Sequence, residues 1–277
     1  MTSQSFTAAC VQLRTGQDVA RNVTDACDLI RQAAAQGADF IATPETSHLM
    51  ELGGKALFAK TVPQDEDTGL AAFRALAEEL KCWLLIGSLS IRISEHKIAN
   101  RSFLLGPDGA IAAAYDKIHM FDVDLKGGES YRESKNFQAG DQAVLVDLPW
   151  GRLGLSICYD LRFAALYRAL AQGGAQILTV PAAFTQQTGE AHWHILLRAR
   201  AIENGCFVIA PAQGGHHDNG RKTYGHSLII SPWGEILAQG GTDPCVISAR
   251  IDLERVTEAR ARISSLSHDR PFAVSRG

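Results

Sequence analysis

The segment Ser102-Phe103-Leu104-Leu105-Gly106-Pro107-Asp108-Gly109-Ala110-Ile111 recurs later in the chain as Ser227-Leu228-Ile229-Ile230-Ser231-Pro232-Trp233-Gly234-Glu235-Ile236, with Ser, Pro, Gly and Ile in register. Each copy reads as an apolar strand, a Pro- and Gly-marked turn and a second strand, which is a hairpin. Working outward from the first copy, residues 6–13 read as a strand and 19–36 as a helix closed by Gly37, with Val23, Cys27 and Ile30 on one face. Residues 39–43 form a strand that Pro44 ends. A helix over 67–81, with Leu70, Phe73, Leu76, Ala77 and Leu80 facing inward, leads to a strand over 83–89.

The second copy has matching surroundings. Strands are expected over 143–148 and 153–157, a helix from Arg162 to Gln172, and a strand over 176–180 that again ends in proline, Pro181. A helix over 190–203, closed by Asn204-Gly205, and a strand over 206–210 complete the set. Both halves therefore run strand-Pro, helix, strand, hairpin. Such a repeat of large units predicts two similar α/β layers, packed as two sheets face to face with helices outside. A strand over 245–251, a helix over 252–261 and a polar tail follow. No linker divides the chain, so residues 1–277 are expected to form one domain, with a core of about 6–253 and a C-terminal extension over 254–277.

Composition narrows the function classes. Of 277 residues, 46% are hydrophobic and 21% charged, and the net charge is −3, with Arg and Lys scattered rather than striped. That predicts neither nucleic acid nor an acidic membrane as partner. The start, Met1 to Phe6, lacks a basic and apolar leader, and no apolar run approaches the ~20 residues a bilayer requires, so a cytoplasmic location is expected. The six cysteines show no C-x-x-C pair, which speaks against zinc and against a disulfide framework. Asn22-Val23-Thr24 and Asn100-Arg101-Ser102 match glycosylation sequons, by chance on this reading.

Chemistry enters at Gly154-Leu155-Ser156-Ile157-Cys158-Tyr159-Asp160-Leu161-Arg162-Phe163, where an apolar strand runs into a cysteine and then a charged turn. A thiol at such a corner is surrounded by backbone N–H groups, although an inert core cysteine fits the local sequence as well. If the strand ends share one edge, Glu45, Lys117 and Cys158 converge there. They supply a base, a cation and a nucleophile. Sulfur attack on an amide carbonyl creates an oxyanion, which the Lys117 ammonium and a backbone N–H at the Cys158 corner are suited to hold, while Glu45 moves protons. Taken singly, each is equally well a solvated or packed side chain.

Together, Pro44-Glu45-Thr46, Tyr115-Asp116-Lys117-Ile118-His119 and Ile157-Cys158-Tyr159-Asp160-Leu161-Arg162-Phe163 resemble the three motifs of the nitrilase, or carbon-nitrogen hydrolase, superfamily. The likeness spans Phe6 to about Leu253. It implies an αββα sandwich of two mixed sheets with helices on the outer faces, cofactor-free chemistry, and Glu45, Lys117 and Cys158 as catalytic residues. A second glutamate belongs to the pattern, and Tyr131-Arg132-Glu133-Ser134 puts Glu133 in its place, positioning Lys117 and the substrate amide. The segments Gly189-Glu190-Ala191-His192-Trp193, Leu197-Arg198-Ala199-Arg200-Ala201-Ile202-Glu203, Tyr224-Gly225-His226-Ser227 and Pro232-Trp233-Gly234 resemble the amidase branch that acts on ω-amides of 2-oxo acids and on deaminated glutathione. The Tyr-Gly-His-Ser form and the His216-His217 loop favour deaminated glutathione, with the ω-amide α-ketoglutaramate, or a carbamoyl substrate, as alternatives. The resemblance further implies that Arg162 holds a substrate carboxylate, that Phe184 and Thr188 line the pocket, and that the protein is a homodimer packed through the helix after Cys158 and the C-terminal region. His194 departs from the glutamate expected after the tryptophan. With Glu190 and Arg198 on the same helix face, it sits either in a pocket wall or in a surface pair.

Rival readings are weaker. His216, His217, Asp218 and His226 contain metal-ligand residue types, but adjacent histidines do not readily share one ion, and a flexible specificity loop is the plainer account. His192 and Trp193 read as packing and capping groups at a helix start. A non-enzymatic partner-binding module with a redox-sensitive Cys158 would not require Glu45, Lys117, Glu133 and Cys158 together.

Overall fold

Alternation along the apolar strands sorts their side chains onto two faces, and this sorting builds the layers. The computed structural model describes residues 5–277; residues 1–4, part of the stretch read for a leader, lie outside the described residues. The strands are β1 (Ser5–Gln12), β2 (Phe40–Ala42), β3 (Trp83–Arg92), β4 (Ile98–Leu105), β5 (Ile111–Asp116), β6 (Asp122–Asp124), β7 (Ser130–Arg132), β8 (Leu145–Asp147), β9 (Arg152–Gly154), β10 (Ile177–Thr179), β11 (Phe207–Ala210), β12 (Gly214–His216), β13 (Lys222–Tyr224), β14 (Leu228–Ile230), β15 (Ile236–Gln239) and β16 (Cys245–Asp252). The helices are α1 (Val19–Ala35), α2 (Gly54–Lys60), α3 (Thr68–Leu80), α4 (Ala164–Gln172), α5 (Gln186–Asn204) and α6 (Glu254–Arg262).

Two six-stranded sheets carry the fold, ordered β16-β1-β2-β3-β4-β5 and β8-β9-β10-β11-β14-β15. The predicted repeat is borne out strand by strand. Read from β16 and from β8, both sheets pair antiparallel, parallel, parallel, antiparallel, antiparallel. Ala8, Cys10, Phe40, Ala42, Leu85 and Leu104 of the first sheet enter one core with Leu178, Val208 and Leu228 of the second. Their chain neighbours Ala9, Val11, Ile41, Leu84 and Phe103 point the other way, onto Ile30 of α1 and Phe73 of α3. On the second sheet, Tyr167 and Leu170 of α4 and Trp193 and Leu197 of α5 belong to the shared core. Central strands thus face apolar layers on both sides, which is why their sequence reads as continuous apolar runs.

Some local expectations shift. Sheet pairing of the strand expected over 153–157 stops at Gly154, because the chain leaves the sheet toward Cys158. The helix expected from Arg162 is a 3-10 turn over Cys158–Arg162, a break at Phe163, and then α4. The helix expected from Glu190 begins at Gln186, with the Thr185 side chain accepting the Thr188 N–H as its cap, so His192 and Trp193 lie inside the helix and do not cap it. Trp193 is buried, as a packing group should be. The polar stretch through Gln142 holds the β6–β7 hairpin, and α2 had no periodic signal.

The first-sheet strand β3 breaks its register between Ile86 and Leu89. At this bulge Ser88 receives the loop after β2: Ser88 N–H donates to the Pro44 carbonyl, the Ser88 carbonyl accepts from Ser47, and the Ser88 hydroxyl accepts from the Thr46 N–H. Gly87 lies where the two sheets meet. A Cβ there would stand 2.1 Å from the Thr43 carbonyl oxygen and 2.5 Å from Pro181 Cβ. No helix among the described residues is long and apolar enough to cross a membrane.

Backbone atoms cannot step aside for a methyl group, so Gly87→Ala is expected to destabilise the fold by about 2–3 kcal/mol. Thermal unfolding should show Tm lowered by roughly 5–10 °C. An unchanged Tm would mean that the sheets do not close on this residue.

Candidate active site

Three chain corners, each leaving a sheet, meet between the layers. The first carries Glu45, which follows Pro44 and is fixed by the Ser88 bulge; Thr46, next in the chain, takes a left-handed φ of 56°. The second leaves β5, where Lys117 N–H donates to the Asn100 carbonyl and the Lys117 carbonyl accepts from Gly140. The third turns at Cys158, whose φ of 50° is unusual for a side-chain-bearing residue. Its N–H donates to the Pro181 carbonyl at 2.8 Å. The backbone N–H expected at this corner for an oxyanion is therefore not that of Cys158.

A fully buried carboxylate, Asp160, ties the third corner to the second. Its Oδ2 accepts the Ile157 N–H at 2.8 Å and the Tyr115 hydroxyl at 2.6 Å. Its Oδ1 accepts the His119 N–H at 3.0 Å and lies 2.7 Å from His119 Nδ1. Such a carboxylate, away from water, is stable only because donors surround it. Burial and the Asp160 charge push the Tyr115 hydroxyl well above its usual pKa, so it remains a donor.

Glu45, Lys117, Cys158 and Glu133 come together. Lys117 Nζ, 2% exposed, lies 2.8 Å from Glu45 Oε1 and 2.9 Å from Glu133 Oε2. Asn100 bridges the two glutamates, with Nδ2 donating to Glu45 Oε1 at 2.9 Å and to Glu133 Oε1 at 3.1 Å. Glu133 Oε2 also accepts the Phe121 N–H, and Glu45 Oε2 accepts the Ala183 N–H at 3.1 Å. Burial alone would raise the Glu45 carboxyl, yet Lys117, a hydrogen bond with Cys158 and the Arg221 charge hold it below its ordinary value. For Lys117 the burial penalty is outweighed by Glu133 and Glu45, which push the ammonium well above the usual lysine range. Cys158 moves upward, through burial first and the Glu45 charge second, with Lys117 pulling the other way. At neutral pH this is a thiol beside a carboxylate and an ammonium.

These groups line a cavity of about 150 Å³, and Arg162, Phe184 and Thr188 line it too. All seven residues singled out in the sequence thus share one pocket. The Arg162 guanidinium lies over the Phe184 ring at 5.3 Å and the Tyr159 ring at 5.8 Å, while Thr188 Oγ1 meets Thr185 Oγ1 at 2.9 Å. The flexible loop expected at His216-His217 is instead an ordered β12–β13 hairpin. His217 is buried, with Nδ1 against the Thr15 carbonyl and Nε2 against Thr223 Oγ1. His194 is outside the cavity lining, beside the rings of Tyr224 and His226.

Sequence reasoning passed over Asn100, Asp160 and Arg221. Asn100 was read only as part of a chance sequon, although a buried amide inside the apolar strand β4 was a signal that it serves a partner. Asp160 and Arg221 carried no local signal.

The pattern of the carbon-nitrogen hydrolase family matches residues 7–261. A deaminated glutathione amidase of Synechocystis sp. (strain PCC 6803 / GT-S) is 39% identical over 272 residues, covering 95% of this chain and 97% of its own. The human omega-amidase NIT2 is 38% identical over 261 residues, covering 94% of this chain and 93% of its own. Among solved structures, the C. elegans NitFhit protein superposes with a TM-score of 0.90 at 35% identity, over 98% of this chain and 66% of that longer one.

Because the Ile157 N–H, the His119 N–H and the Tyr115 hydroxyl all donate to Asp160, Asp160→Asn turns an amide N–H against one of these donors. The expected cost is about 1–3 kcal/mol, read as a lower urea midpoint, together with loss of turnover as the Cys158 corner loosens. Full activity with an unchanged midpoint would remove Asp160 from this role.

Proposed function

The chain belongs to the carbon-nitrogen hydrolase family and is an amidase, and on that premise we propose that Cys158, Glu45, Lys117 and Glu133 are its working residues and deaminated glutathione its substrate. The observation that carries the catalytic assignment is the buried set in which Glu45, ion-paired with the Lys117 ammonium, lines one cavity with Lys117, Glu133 and the buried Cys158 thiol. The proposed substrate rests on the relatives named deaminated glutathione amidase.

The steps follow from the charges. As Sγ bonds to the amide carbon, the thiol proton passes to Glu45, so that no free thiolate has to be maintained in a buried site. The carbonyl oxygen becomes an oxyanion, which Lys117 faces together with the N–H of Tyr159; that N–H has no acceptor among the described residues. Glu45 then delivers the proton to the leaving nitrogen, the C–N bond breaks and the amine departs, leaving a thioester. Water attacks the thioester and gives a proton to Glu45; the S–C bond breaks, the acid is released and sulfur regains its proton. Glu133 holds Lys117 in place through both of its oxygens. Arg162, beside Phe184 and Thr188, is assigned to a substrate carboxylate, which makes the preferred substrate acidic.

The protein is further read as a cytoplasmic homodimer. Six free cysteines accord with a reducing compartment, and the exposed Ile195, Ile202 and Trp233 offer apolar area next to α4 and the C-terminal region.

Purified protein is expected to release α-ketoglutarate and cysteinylglycine from deaminated glutathione faster than ammonia from α-ketoglutaramate, and Cys158→Ala to fold normally with turnover lost. A Cys158→Ala protein that keeps full turnover would sink the assignment. The pH profile adds a check with a definite sign. Glu45 is held low and Cys158 high, so kcat/KM should be level between about pH 6 and 8 and fall only as acid protonates Glu45. A tenfold rise for each pH unit across that range would instead indicate attack by a thiolate formed in bulk equilibrium.

A further inference from the structure

Four cations, Lys117, Arg132, Arg162 and Arg221, line the cavity against three carboxylates, Glu45, Glu51 and Glu133, and Glu51 is already paired with Lys60 outside it. Lys117 faces Glu45 and Glu133, and Arg132 pairs with Asp124. Two further guanidiniums, Arg162 and Arg221, line the same space and face no carboxylate within ion-pair distance among the described residues. Arg221 is held in place without being used up. One terminal nitrogen donates to the Ala183 carbonyl at 2.7 Å, the other lies 3.6 Å from Met50 Sδ, and the plane stands over the Tyr131 ring at 5.4 Å. Its Nε is buried with no hydrogen-bond partner. A preorganised fork with open donors is suited to a carboxylate.

The two arginines lie at different places along the cavity. Ala183 joins Arg221 to Glu45, giving its carbonyl to the one and its N–H to the other, and the Arg221 charge is felt at Glu45. Arg162 stands over Phe184 and Tyr159 instead. A carboxylate that protonates the departing nitrogen must lie on the leaving-group side of the scissile bond. Arg221 therefore shares that side with Glu45, while Arg162 is left for the acyl side.

We infer that Arg221 binds a carboxylate carried by the leaving amine, so that the preferred substrate is a secondary amide releasing an amino acid or short peptide rather than a primary amide releasing ammonia. This rests on the proposed function and sharpens it. It separates two substrate classes that the same thiol chemistry serves equally.

The test compares deaminated glutathione, whose leaving amine ends in a carboxylate, with α-ketoglutaramate, which releases ammonia. Arg221→Gln should lower the kcat/KM ratio of the first to the second roughly tenfold to a hundredfold, mainly through KM, and Arg221→Lys should recover part of it. Equal losses on both substrates would make Arg221 a structural strap or an electrostatic support for Glu45, and overturn the inference. A second arm needs no variant: wild-type protein should show a KM at least about tenfold higher for deaminated glutathione whose terminal carboxylate is converted to a carboxamide. An unchanged KM there also overturns the inference. Wild-type protein that hydrolyses neither amide overturns the functional reading and the inference with it. Turnover of both with an unmoved ratio overturns the inference alone.

Discussion

A lysine ammonium held out of water between two carboxylates is the constraint on which the rest of this structure depends. Removing three charges from solvent is expensive, and the attraction among them compensates only when the geometry is tight and the remaining oxygens find donors. Lys117 meets this requirement with Glu45 and Glu133, while Asn100, the Phe121 N–H and the Ala183 N–H complete the two carboxylates. Glu45, Lys117 and Glu133 leave different elements, and Ala183 comes from the second layer. The charges can be satisfied only when both sheets are closed on each other. Stability and chemistry are thus coupled at one point: the packing that buries the ion set also encloses the reaction space.

The same set explains why Cys158 rests as a thiol. Burial disfavours a thiolate there, and a third negative charge beside Glu45 and Glu133 adds to that penalty, so the proton remains on sulfur. Asp160 supports this from behind. It holds the left-handed corner at Cys158 against the segment that carries Lys117, so the thiol and the ammonium are positioned by one buried carboxylate rather than by two independent loops.

Much of this was legible in the sequence, and the limits have physical reasons. The repeated Ser-Pro-Gly-Ile hairpins and the strand-Pro endings are local patterns, and they predicted the paired sheets and the convergence of Glu45, Lys117 and Cys158 at strand ends. Glu133, Arg162, Phe184 and Thr188 were reachable only through family resemblance, since a glutamate in a polar stretch or a threonine near a helix start has no pattern of its own. Asn100, Asp160 and Arg221 serve partners distant in the chain, such as Glu45, Tyr115 and Ala183, and no periodicity encodes a hydrogen bond across such a separation. The shortened pairing at Gly154 and the 3-10 turn after Ile157 had the same origin: the tertiary contacts of Asp160 and Pro181 override the helix propensity that follows.

The pairing of β16 with β1 along their whole length has a consequence for how the protein is made. The ribosome delivers β1 before every other described strand and β16 after them, so the edge of the first sheet stays open while the strands between them are made. Glu45, Lys117 and Cys158 emerge before Ala183 and the β12–β13 hairpin that carries Arg221, and all of these emerge before β16. Until that hairpin is made, the nascent chain exposes an unpaired strand edge and an incomplete charge set together, and β16 then closes the edge of the first sheet. A truncation that spared Glu45, Lys117, Glu133 and Cys158 but removed β16 would reopen that edge, although β16 lies far along the chain from the strand it protects.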